Sequence, residues 1–240
     1  MSKIRLYVDQ PLAEGQSISL TRDQAHYLFG VMRKGVDTHV SLFNGQHGEW
    51  RGVVTQAGKR VGELVCEART RELQMPPDVW LLFAPIKKAR TDFIVEKAAE
   101  MGVARICPVQ TDYTNADRIR QDRLQAHAIE AAEQCGGTYV PAVDDLVPLS
   151  RVLAHWPADR RLMFCDEATV DGTGATLSRS DPGPWAILIG PEGGFSPSER
   201  ARLRGMDTAQ PVNLGPRILR ADTAAVAALT LWQTTYGDWT

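Results

Sequence analysis

The sequence of 240 residues contains little that would mark a membrane protein, a metalloprotein or an oxidised scaffold. Its longest apolar run, residues 79–86 (VWLLFAPI), is far short of the ~20 residues that cross a bilayer, so no membrane partner is expected. The opening MSKIRLYVDQ has neither an apolar h-region nor a small-residue cleavage site, and no secretory signal is expected. Cysteine is sparse: Cys66, Cys107, Cys135 and Cys165 stand singly, without a CxxC. Disulfide frameworks belong to much shorter secreted chains, so a cytoplasmic setting is expected. The five histidines (His26, His39, His47, His127 and His155) form neither an HExxH nor a Cys/His cluster, so no metal is expected. An excess of charge is missing too. With 27 basic and 29 acidic residues the net charge is −2, which argues against a protein that coats nucleic acid by bulk electrostatics. A local RNA-binding patch remains compatible. GxGxxG, the Walker GxxxxGK[ST] and GxSxG are all absent, which argues against dinucleotide, ATP and the usual hydrolase chemistry.

What is present is an ordinary folded composition, 43% hydrophobic and 23% charged, at a length suited to one or two domains. The first 70 or so residues read as β-rich, with strands expected at 5–8, 17–20, 38–43, 49–55 and 61–68. Asn44-Gly45 supplies a hairpin turn, and Thr21 to Gln24 a capping box that opens the helical stretch AHYLFGVMR. A compact barrel-like module results. His26, on an otherwise apolar face of that stretch, reads as a packing residue and not as a base. Two adjacent prolines in LQMPPD (residues 73–78) mark the linker. Beyond it, strands at 79–86, 103–109, 162–165, 185–189 and 211–214 alternate with helices at 92–101, at 118–135 and from Ala221 onward. This alternation implies a parallel sheet covered by helices. Residues 171–184 (DGTGATLSRSDPGP) read as a polar, mobile loop. The boundary gives domains 1–72 and 73–240. Residues 1–75 carry 10 basic and 8 acidic side chains, and residues 76–240 carry 17 and 21, a mild basic bias on the first module.

Two segments carry the chemistry. In WAILIGPEGGFSPSE (residues 185–199) an apolar strand runs directly into Gly190-Pro191-Glu192-Gly193-Gly194. A helix start follows, with Ser196 as N-cap, Pro197 at the first helical position and Glu199 completing the box. Three glycines in five residues permit close backbone approach to a ligand, at the carboxyl end of a strand where open α/β sheets bind them. The plainer alternative is a tight connection without a ligand. About 20 residues later a second strand breaks at Gly215-Pro216-Arg217, and Ile218-Leu219-Arg220 leads to a helix opened by Asp222 and Thr223. Two such corners imply neighbouring loops sharing one crevice. Apolar Ile218 and Leu219 beside Arg220 suit a flat apolar ligand with a nearby anion, although an arginine more often ends in a surface ion pair.

These two segments, 188–194 and 214–224, resemble the LLIGPEGG-like and LGPR-(I/V)-LR-x-(D/E)-TA motifs of the RsmE family. That family comprises the 16S ribosomal RNA uridine-N3 methyltransferases of the SPOUT class. Further matches run nearly end to end: HYLFGVMRKG with FNG (26–35, 43–45), KKARTDFIVEKAAEMGVARICP (87–108) and EAAEQCGGTYVP (130–141). The resemblance implies an α/β protein, with a small PUA-like β-barrel followed by a SPOUT α/β domain with a C-terminal trefoil knot. It also implies S-adenosylmethionine as cofactor, a homodimer, and 16S ribosomal RNA or the small ribosomal subunit as partner. Its cofactor loops fall on Leu188, Gly190, Glu192, Gly193, Leu214, Gly215, Ile218 and Leu219, with the strand end at Cys165 as third side. Three positions depart from the pattern: Gly137 and Tyr139 stand where basic residues are common, and Asp222 replaces the more frequent Glu.

Methylation at uracil N3 is a direct displacement and needs no covalent cysteine, so the cysteines read as core residues. The neutral imide is a poor nucleophile, and the site must favour its anion. Arg220 is the expected source of positive charge or of base positioning, with Glu192 and Asp222 as candidates for orientation or proton acceptance. RNA contacts are expected from Arg5, Arg33 and Lys34 in the first module and from Lys87, Lys88 and Arg90 in the second. Two other readings stay open: a SPOUT enzyme with another target, such as a ribose 2′-hydroxyl, and a non-catalytic RNA-binding assembly factor.

Overall fold

The computed structural model describes residues 4–166 and 183–239. The chain divides into two compact units, Met1–Met75 with Ala132–Val140, and Pro76–Ala131 with Pro141–Thr240.

In the first unit, β1 (Arg5–Tyr7), β2 (Ser17–Ser19), the single helical turn α1 (Arg22–Ala25), β3 (His39–Phe43), β4 (Glu49–Ala57) and β5 (Gly62–Arg71) follow one another. Among the described residues the strands form a five-stranded sheet, ordered β1-β3-β4-β5-β2. β1 runs parallel to β3 and the other pairs are antiparallel. Alternation turns Leu6, Ile18, Val40, Val54 and Leu64 into one apolar cluster, each worth about 1.5–3 kcal/mol of burial. The connection after β3 is longer than a two-residue hairpin turn. Asn44 Oδ1 accepts the N–H groups of Gln46 and His47 (3.0 and 2.9 Å), and β4 begins only at Glu49.

The Thr21 capping box forms, with Gln24 N donating to Thr21 Oγ1 (3.2 Å) and Thr21 N donating to Gln24 Oε1 (3.0 Å). The helix it opens differs from the expected one. After one α turn the backbone widens into a π-helix over His26–Val31, and the Met32 N–H reaches the Tyr27 carbonyl at 2.9 Å. Leu28 is buried by this turn, while His26 and Tyr27 stay exposed. His26 is therefore a surface residue and not a core one; its ring lies against Gly30, where a Cβ would come within 2.8 Å of it.

The second unit continues with β6 (Val79–Phe83), α2 (Lys88–Glu100), β7 (Arg105–Gln110), α3 (Gln121–Cys135), β8 (Ala142–Val143) and β9 (Val147–Pro148). Then come α4 (Leu149–Ala154), β10 (Arg161–Cys165), β11 (Trp185–Ile189), α5 (Pro197–Arg204), β12 (Ala209–Val212) and α6 (Ala221–Thr235). The last turn of α3 counts with the first unit. Among the described residues the strands form one parallel sheet, ordered β12-β10-β11-β6-β7-β8, with β9 also paired to β7. The runs VWLLF and WAILI are continuously apolar because a parallel sheet is covered on both faces, and every residue of β11 is buried.

Several boundaries differ from expectation. β12 stops at Val212 and not at Leu214, because its partner β10 ends at Cys165 and no neighbour continues the ladder. α2 begins at Lys88, four residues before the expected start at 92, with basic residues in a first turn that ordinarily favours acids. The polar loop expected at 171–184 falls outside the described residues, apart from Gly183 and Pro184.

Candidate functional site

Three strand ends meet on one edge of the parallel sheet: Cys165-Asp166 after β10, Ile189-Gly190 after β11, and Val212-Asn213 after β12. The Gly190–Gly194 loop is a tight turn, closed by the Gly194 N–H on the Pro191 carbonyl (2.9 Å). It folds back onto Phe195, which is buried and meets Phe164 edge to face at 6.5 Å. Gly190 suits this return: a Cβ there would stand 3.1 Å from the Phe195 ring, a tight contact that the ring would have to relieve. The helix that follows is held by the expected box, with Glu199 N donating to Ser196 Oγ (3.2 Å) and Ser196 N to Glu199 Oε2 (2.9 Å). Glu199 Oε1 also accepts the Asp112 N–H at 2.9 Å, which ties the box to the loop after β7. In the second loop the Gly215 N–H donates to Asn213 Oδ1 (2.7 Å) and φ at Gly215 is 111°, a conformation that excludes ordinary side chains.

Between these loops lies a crevice of about 610 Å3, open to solvent. Of the residues expected to hold a ligand, Cys165, Gly190, Glu192, Leu214, Gly215, Ile218 and Leu219 line it. Leu188 and Gly193 do not. Leu188 points into the sheet core beside Phe164 and Phe195, because it precedes the strand end by one residue. A Cβ on Gly193 would face Tyr113 at 3.6 Å. The crevice also takes in Asp166, Asn213 and Arg217, which sequence reasoning missed. Asp166 has a fully buried carboxylate, held by Arg200 Nε (3.1 Å) and Arg204 Nη2 (3.0 Å) of α5. The i, i+4 spacing of those two arginines was the available signal, but their shared partner lies 34 residues upstream of Arg200.

The charged candidates separate. Arg90 of α2 reaches Glu192 at 3.1 Å and Asp222 at 3.8 Å, joining two expected catalytic carboxylates through one expected RNA contact. Arg220 is exposed and lies between Leu219 and Ala221, both of which line the crevice, while its own side chain does not. It occupies the N-cap of α6 without a side-chain cap bond. Lys87 and Lys88 are exposed at the start of α2, and Arg33 and Lys34 are exposed in the first unit.

Arg5 requires a correction. Its guanidinium binds Glu49 (2.9 Å) and the carbonyls of Ala132 (2.6 Å), Glu133 (2.9 Å) and Gly137 (2.7 Å), and lies 4.4 Å from the centre of the Phe43 ring. Its donors satisfy carbonyls at the end of α3 and are not available to a phosphate. Arg71 does likewise for the Gly136 carbonyl at 2.6 Å. The Glu133-Gln134-Cys135-Gly136-Gly137 segment thus serves to anchor a helix end within the first unit.

Chemically, the crevice offers apolar walls and backbone groups, with charge at its mouth. Ile218 is 72% exposed, an apolar side chain with little protein cover. Burial pushes the Cys165 thiol up to about 12, so at neutral pH it stays protonated and is no nucleophile. Among the described residues no group of three His, Cys, Asp or Glu could hold a metal ion, and no helix is long and apolar enough to cross a membrane.

Residues 73–233 match the family model described as RNA methyltransferase domain, and residues 20–61 the RNA methyltransferase PUA domain. Ribosomal RNA small subunit methyltransferase E of Rickettsia conorii is 28% identical over 94% of this chain and 93% of its own length. The protein of the same description from Bacillus subtilis is 27% identical, over 92% of this chain and 91% of its own. The crystal structure of a ribosomal RNA small subunit methyltransferase E from Neisseria gonorrhoeae, bound to S-adenosyl methionine, superposes with a TM-score of 0.89 at 27% identity, covering 99% of both chains.

Proposed function

Because the chain belongs to the RNA methyltransferase family, we propose that it methylates N3 of a specific uridine in 16S ribosomal RNA, using S-adenosylmethionine. The observation that carries this reading is the crevice at three adjacent strand ends, within the residues matched to the methyltransferase domain. Its walls fit the cofactor: Leu214, Ile218 and Leu219 offer apolar contact to a flat ring system, and the turned loops at Gly190 and Gly215 leave backbone groups for polar edges. When bound, S-adenosylmethionine supplies an electrophilic methyl group. The protein must then orient the uracil, lower the cost of the N3 anion and receive the N3 proton. Arg220, at the rim beside Leu219, supplies positive charge to the uracil oxygens. Glu192 and Asp222, held by Arg90, orient the base or take up the proton.

The same reading makes the segment around residues 188–224 a trefoil knot, the chain a homodimer and its setting the cytoplasm, with the resemblance of the two loop motifs as support. The test is a nucleoside digest of 16S ribosomal RNA from cells lacking the gene, together with a calorimetric titration of the protein with S-adenosylmethionine. Loss of N3-methyluridine, restored by the wild-type gene, and saturable cofactor binding are expected. An undiminished N3-methyluridine signal, or loss of a 2′-O-methyl nucleoside instead, would overturn the assignment.

In the first unit, Arg33 and Lys34 follow the π-helix, and Arg33 adopts a left-handed backbone (φ 52°) that is uncommon for a residue with a side chain. Replacing both by alanine should weaken RNA binding and lower the slope of log affinity against log salt by roughly 1.4–1.8, the equivalent of two phosphate contacts. Filter binding across a salt series checks this, and an unchanged slope removes the pair from the RNA footprint.

A further inference from the structure

A second concave surface lies in the same unit as the crevice. It is a groove of about 1020 Å3, open to solvent, between the end of β6, the start of α2 and the segment leading into α3. Four cations line it: Lys88, Arg118, Arg120 and Arg123. No carboxylate does. Arg120 is paired with Asp122 (2.7 Å) and Arg123 with Asp92 (2.6 Å), but neither acid faces the groove. Lys88 and Arg118 have no acidic partner among the described residues, and the floor includes apolar Ile86 and Ile119. Lys88 and Arg118, two like charges without an acidic partner in one concavity, repel each other and gain from a polyanion that displaces their counterions. Arg120 can exchange its exposed carboxylate partner, Asp122, for a phosphate. An apolar floor beneath cations suits a chain whose phosphates alternate with sugars and bases better than it suits a small inorganic anion. The groove and the crevice are linked through the first turn of α2. One residue, Ala89, separates Lys88, which lines the groove, from Arg90, whose guanidinium reaches Glu192 at the crevice mouth.

We propose that this groove holds the backbone of the RNA substrate beside the target uridine, with Arg118 and Arg120 as phosphate contacts that the sequence did not single out. The proposal rests on the reading of the chain as a ribosomal RNA methyltransferase. The experiment compares the full-length wild type, R118Q/R120Q and R118K/R120K for binding to a 16S ribosomal RNA transcript over a salt series, with methyl transfer measured in parallel. The glutamine variant should lose roughly tenfold or more in affinity near 0.1 M salt, and its slope of log affinity against log salt should fall by roughly 1.4–1.8. Its KM for RNA should rise, while its rate at saturating RNA and its affinity for S-adenosylmethionine stay at wild-type values. The lysine variant should recover the slope. Wild-type affinity and slope in R118Q/R120Q would overturn the groove, and so would a changed oligomeric state accounting for the loss. Failure of the wild type to transfer methyl to RNA is a different result: it overturns the assigned reaction, while the salt slope still decides the groove.

Discussion

Arg220→Ala should lower methyl transfer at saturating RNA and cofactor by roughly 10²–10³-fold, the usual effect of removing one preorganised charge or donor from a developing anion. The expectation rests on its position. Arg220 stands between two lining residues, Leu219 and Ala221, and its side chain is exposed. Folding should be untouched, because the N-cap of α6 is made without a side-chain bond from Arg220. Its carbonyl accepts the Ala224 N–H at 2.7 Å through backbone that alanine preserves. Single-turnover transfer to 16S ribosomal RNA, with a cofactor titration alongside, separates loss of chemistry from loss of binding. A variant that turns over within a few-fold of wild type removes Arg220 from the mechanism. Arg217, which lines the crevice, then becomes the arginine to test.

Replacing Phe195 by alanine should cost about 3–5 kcal/mol of stability, a large share of the ~5–15 kcal/mol typical of a folded protein. The melting temperature should drop by roughly 10 °C. Phe195 is 2% exposed, packs edge to face on Phe164 and forms the seat on which Gly190 rests. Its removal opens a cavity under the loop that carries Glu192, so cofactor affinity should fall together with stability. Thermal melts with and without S-adenosylmethionine check both effects. A variant that melts with the wild type would show that the loop does not depend on this ring.

The two loop corners were legible because their chemistry is local. A strand, a glycine turn and a Ser-Pro-Ser-Glu helix start are written in consecutive residues, and the capping box at Ser196 forms as its spacing requires. The split between a β-rich first part and a strand–helix second part was readable from apolar periodicity for the same reason. Local pattern also misled. Leu188 looked like part of the loop motif, yet strand register turns it into the core. His26 looked like packing until the π turn left it outside.

The sequence by itself determined most of the longer strands and helices, though not β8, β9 and α4, as well as where the chain breaks for glycine and the family to which its motifs belong. Only the tertiary structure decided which charges meet. Arg5 and the carbonyls after residue 131, Asp166 and the arginines of α5, and Arg90 with Glu192 and Asp222 are pairs separated by 34 to 132 residues. An ion pair is formed by groups a few ångströms apart in space, and its Coulomb energy contains no term for distance along the chain. A cation's role as anchor, latch or RNA contact is therefore settled by packing.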